Sequence, residues 1–184
     1  LYISRVKKLI TLKGMQYKFQ TNSKKIMGDL HTPVSVYLKV RDSFPQSALL
    51  ESSDFHANEN SISYLALKPI AQVEVNRGVC HFLFPDDKEE KQALSESFTI
   101  SDALNRFIGR FEVAGSELEQ CGLFGYSTFN CVKYTEHIAI RESREERNDA
   151  PDLLYILYKY LLVFNHFTDE ISLIELQGED EISD

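Results

Sequence analysis

The 184-residue sequence predicts an α+β fold, a mostly antiparallel sheet or sandwich half with two or three helices packed on it. Three observations carry that prediction. Runs rich in β-branched and aromatic residues dominate the chain, turn signals join several of them as hairpins, and a few segments carry helix starts or helical spacing. With 43% hydrophobic and 26% charged residues, a chain of this length buries roughly 70% of its unfolded surface and forms one domain.

Each element has its own signal. Thr32 and Pro33 make an N-cap followed by proline at the first helical position, and Val34, Val36, Tyr37 and Val40 suit a short helix ending near Asp42. A strand is expected over 47–52. Residues 61–70 alternate and then meet Pro69, while 71–85 read as two β-rich runs around Asn76-Arg77-Gly78, a hairpin closed by Pro85. The polar stretch 86–97 is expected to be a surface loop. Ile100, Ala103, Leu104, Phe107, Ile108 and Phe111 form the apolar stripe of one helix of about three turns, capped by Thr99 or Ser101. The run 121–129 is β-like, 130–138 turns polar and helical, and 141–152 is a charged loop. Residues 153–167 read as one or two buried strands, and 171–176 completes a hairpin after the Thr168-Asp169-Glu170 turn.

Composition excludes several functions. The longest apolar run, 153-LLYILYKYLLVF-164, is interrupted by Lys159 and falls short of the about 18 residues a membrane helix needs. Residues 1–14 hold Arg5, Lys7, Lys8 and Lys13 and no acid, which leaves 16 basic against 28 acidic side chains elsewhere, a net of −12. Nucleic acid is therefore not an expected partner. The basic leader has no continuous apolar segment and no small-residue cleavage site. Residues 1–21 are expected to lie outside the core, with Met15 the natural start and 1–14 vector or upstream translation. Residues 177–184 read as an acidic tail or a truncated linker. Cys80, Cys121 and Cys131, an odd number without CxxC spacing, point to a reducing, cytoplasmic setting and to packing roles. The five histidines are scattered, and no HExxH, P-loop or GxGxxG occurs, so no catalytic residues and no metal ligands are assigned.

The stretch 47-SALLESSD-54 stands apart. Ala48, Leu49 and Leu50 enter a core as a strand and run straight into Glu51, Ser52, Ser53 and Asp54. Serine and aspartate stop strands by bonding to their own backbone, and the same groups could line a ligand site. Elsewhere, Gly122, Gly125 and Tyr126 fit either a cleft or close packing between strands. His166 reads as a core or edge histidine, and Asp149, Pro151 and Asp152 as a loop entering a strand.

Four segments occur in a telling order: TPVSVYLKVR, ALLESS, CGLFGYSTFNCVKYTE and NDAPDLLYILYKYLLVFNHF. Over residues 22–176 this order resembles the N-terminal region of anthranilate synthase component I, the chorismate-using lyase of tryptophan biosynthesis. There are departures. Ser61 stands where the family often has an arginine, in a GRYSF-like stretch, and Asn130 and Lys133 stand where an aspartate and an arginine are usual.

The resemblance implies that 22–176 is an N-terminal domain contributing to a β-sandwich flanked by helices. It implies that the chorismate and magnesium sites lie in a C-terminal domain of the same chain, leaving this piece non-catalytic and without a cofactor. It implies a feedback site for tryptophan between the two domains, an allosteric arrangement, with Leu50, Glu51, Ser52 and Ser53 forming one wall. Glu51 would accept the ligand's ammonium in a charge-assisted bond, and Leu50 with its neighbours would make the apolar side. A glutamine amidotransferase subunit, component II, is the implied partner. Apolar surface left bare by the missing domain suggests a homodimer through that face. Two other readings stay open: the N-terminal region of aminodeoxychorismate synthase component I, of folate synthesis, and a stand-alone amino-acid-binding module.

Overall fold

The computed structural model describes residues 16–52, 61–136 and 150–179. In chain order the elements are β1 (Tyr17–Met27), α1 (Pro33–Val40), β2 (Ala48–Leu50), β3 (Ile62–Asn76), β4 (Val79–Leu83), β5 (Glu89–Ala93), α2 (Ile100–Ile108), β6 (Phe111–Gly115), β7 (Leu123–Ser127), a 3-10 helix (Phe129–Tyr134), β8 (Leu153–Asn165) and β9 (Glu170–Gly178). The strands form one open mixed sheet in the order β5-β4-β3-β8-β9-β1-β6, with β2 beside β3 and β7 beside β8. The β1–β6 pair is parallel and the other pairs are antiparallel, so the α+β class holds.

Two long strands organise the molecule. β3 pairs with β8 from Ile62↔Asn165 to Val75↔Leu153, with the register shifting between Pro69 and Ala71. Proline has no N–H to give the ladder, and Lys68 beside it sits at φ 60°, so the strand kinks there and continues. The segments 61–70 and 71–76, read as separate in the sequence, are thus one bent strand. The bend divides the pairing. The first half of β3 holds β2 and the second half holds β4, while β8 holds β7 at its start and β9 at its end.

Helices cover different apolar clusters of this bent sheet. α1 starts with the expected cap: Thr32 Oγ1 accepts the Ser35 N–H at 3.1 Å, and Ser35 Oγ accepts the Thr32 N–H at 3.1 Å. Its Val36, Tyr37 and Val40 pack with Leu49 over Leu65, Leu67 and Phe164. α2 is capped by Thr99, whose N–H reaches the Asp102 carboxylate at 2.9 Å. Phe107 of α2 lies wholly buried against Phe82 and Phe84.

Four expectations are corrected. The α2 stripe ends at Ile108, and Phe111 opens β6 instead; it still meets Phe107 edge-on at 5.0 Å between ring centroids, so a tertiary contact extends the helical spacing. The supposed loop 86–97 contains β5, an edge strand of alternating exposure whose Glu90 binds both Arg106 and Arg110. Charge carries that alternation, so an apolar pattern cannot reveal it. Residues 17–21, assigned to a leader, are the first half of β1, and Phe19 lies in the core. Gln177 and Gly178, assigned to the tail, close β9.

Candidate functional site

β2 is three residues long, and its register with β3 sets Ala48 opposite Ala66, Leu49 opposite Leu65 and Leu50 opposite Tyr64. Leu50 is half-buried and packs with Ala48, Ile62 and Tyr64 over the cluster that includes Phe124, Tyr158 and Leu161. The ladder stops at Leu50, and continuing its register would bring Glu51 beside Ser63. Glu51 and Ser52 lie beyond the end of the strand, so a ligand touching them and Leu50 sits at the strand's end. Glu51 is exposed and makes no ion pair with another described residue. Ser53 lies outside the described residues.

Ser52 is held by side chains that the sequence did not single out as site residues. Its N–H donates to Ser63 Oγ at 3.1 Å. Ser63 is fully buried and its Oγ stands 2.7 Å from His166 Nε2. The His166 N–H in turn donates to the Ser61 carbonyl at 3.0 Å, and Ser61 Oγ lies 3.5 Å from Ser52 Oγ. The end of β2, the start of β3 and the end of β8 are thus tied at one corner. The available signal was Ser63 itself, a polar residue sharing the parity of buried Leu65 and Leu67 in 61-SISYLAL-67. Its partner lies 103 residues away, so the sequence could state the need but not who meets it.

A second polar hub surrounds Asp152. Its carboxylate accepts the Tyr134 O–H at 2.6 Å and pairs with Lys133 at 3.3 Å, while Tyr134 Oη accepts the Gly78 N–H at 2.8 Å. Burial, and then the bond to Asp152, pushes the Tyr134 phenol up to about 12. Lys133 therefore has an acidic partner, and it comes from the residue before β8; Asn130 is exposed. A third charge group is Lys159 and Glu175, 3.5 Å apart and almost wholly buried on β8 and β9.

Open clefts among the described residues include two with apolar lining. One, of about 510 Å³, is lined by Phe44, Pro45, Lys68, Pro69 and Tyr160. The other, of about 430 Å³, lies between Ile100 and Tyr134. Neither is lined by Leu50, Glu51 or Ser52. No helix among the described residues is long and apolar enough to cross a membrane.

Comparison with known proteins gives a consistent answer. No family model matches the chain. The chain is similar to component 1 of anthranilate synthase. The protein of that name from Lactococcus lactis is 24% identical over 155 residues, covering 83% of this chain and 31% of its own length. Those from Spirochaeta aurantia, 24% identical over 162 residues, and Pseudomonas putida, 26% identical over 153, cover 88% and 82% of this chain and 32% and 30% of their own. The chain thus spans about three-tenths of the length of the curated relatives it matches.

Proposed function

We propose that this chain is the N-terminal, regulatory part of an anthranilate synthase component I and supplies one wall of a tryptophan feedback site through Leu50, Glu51, Ser52 and Ser53. The observation that carries the reading is a similarity to component 1 that takes in 82–88% of this chain and only 30–32% of each relative. A wall suits the geometry: Glu51 is exposed at a pinned strand end. An indole buries about 200 Å², roughly 5 kcal/mol of gross transfer energy before ordering costs. Half a pocket captures only part of that, so the isolated chain binds tryptophan poorly.

The rest of the reading follows the resemblance. Chorismate and magnesium belong to a C-terminal domain of the same protein, component II delivers ammonia from glutamine, and the assembly is cytoplasmic. The partner surface includes the neighbourhood of β7, which pairs only with β8 among the described residues, carries exposed Tyr126 and is followed by exposed Phe129. A free β edge with apolar neighbours favours docking. In isolation the same surface supports a homodimer.

The test is a fluorescence assay with chorismate, magnesium and ammonia. The full-length protein is expected to form anthranilate, suppressed by tryptophan, and residues 16–179 alone, which keep β1 and β9 whole, to form none. Aminodeoxychorismate as the full-length product would move the reading to the folate enzyme. Anthranilate from the piece alone would overturn its non-catalytic role.

A further inference from the structure

We propose that Ser63 and His166 are positioning residues for the amino-acid site: they fix the backbone of Ser52 and so orient Glu51 and Ser52 toward the ligand's α-ammonium. The proposal rests on the reading that Glu51 and Ser52 bind an α-amino acid. β2 stops at Leu50, so the sheet ladder does not hold the residues beyond it. The Ser52 N–H is instead accepted by Ser63 Oγ at 3.1 Å.

That bond ties Ser52 to a buried polar pair. Ser63 is fully buried and its other partner is His166 Nε2 at 2.7 Å. With one lone pair taken by the Ser52 N–H, the Ser63 hydroxyl needs an acceptor for its own proton, and Nε2 is the one in reach. Ser63 Oγ thus links the Ser52 N–H to the His166 ring. The His166 backbone is anchored in turn by its N–H, which donates to the Ser61 carbonyl 3.0 Å away. Packing alone would favour an aliphatic residue at 63, in line with Leu65 and Leu67. A serine there spends burial on a polar relay that ends at Ser52.

The test is calorimetry of L-tryptophan binding to the full-length protein and its variants, with a thermal melt of each. Ser63→Ala and His166→Ala are each expected to weaken binding about three- to tenfold. The double variant should do no more than the worse single one, since both act through one chain of bonds. His166→Gln, whose amide oxygen can still accept the serine proton, should bind within about twofold of the parent. Should Ser63→Ala fail to fold, the His166→Ala and His166→Gln pair carries the comparison. If Glu51→Ala weakens binding while Ser63→Ala and His166→Ala bind like the parent at unchanged melting temperature, the positioning role is overturned and the site stands. If Glu51→Ala also binds like the parent, the site itself is wrong and the inference falls with it.

Discussion

Tyr158 donates its hydroxyl to the Gln46 carbonyl at 2.8 Å, and burial pushes the phenol up to about 12 from an ordinary 10.0. Tyr17 and Tyr134 are raised to about 12 as well, each first by burial and then by a bond to a carboxylate. The folded state thus holds these phenol protons more tightly than the unfolded chain. That stabilisation is fully present below pH 10 and is lost as the pH rises toward about 12. Urea midpoints measured across that window are expected to fall steadily for the parent and less steeply for Tyr158→Phe; parallel slopes would contradict it. Burial also raises the Cys80 and Cys121 thiols to about 11, which agrees with the packing roles their spacing suggested. Single residues were legible where their neighbours are local, as at the Thr32 and Thr99 caps. Ser63 and Lys159 were not, because their partners lie on other strands.

Strand pairing explains Gly125 better than a cleft does. A Cβ there would lie 1.9 Å from the Leu154 carbonyl oxygen and 2.8 Å from Tyr155 Cα, whereas one at Gly122 would meet nothing within 4 Å. Gly125→Ala is therefore expected to cost about 2–3 kcal/mol in chemical unfolding by forcing β7 off β8, and Gly122→Ala to stay within about 0.5 kcal/mol. Equal effects would contradict the close approach. At this scale the helices, the hairpin at Asn76-Arg77-Gly78 and the β8–β9 hairpin were readable from period and turn chemistry. β5 was hidden because its inward side chains are Glu90 and Gln92, which answer Arg106 on α2. The continuity of β3 was hidden because proline usually ends a strand, and here a left-handed Lys68 lets the pairing resume one step out of register.

Across the whole molecule, β8 and β9 carry a buried charge pair in the sheet, with Lys159 5% and Glu175 7% exposed. Lys159→Met is expected to cost about 3–5 kcal/mol by removing the cation 3.5 Å from buried Glu175, and Lys159→Met with Glu175→Met to recover most of it. A double variant as unstable as the single one would show that the two charges do not depend on each other. The sequence presented Lys159 only as an interruption of an apolar run, since register across strands decides what it meets. The order of four segments, by contrast, was enough to place the chain beside anthranilate synthase component I, and the relatives agree over most of its length. The central claim is that the end of β2 is a ligand wall and not simply a capped strand. Its most direct test is the tryptophan inhibition curve of full-length Glu51→Ala: loss of a charge-assisted bond of about 1.5–3 kcal/mol predicts half-inhibition at about ten- to a hundredfold higher tryptophan, and a curve superimposed on the parent's would contradict it.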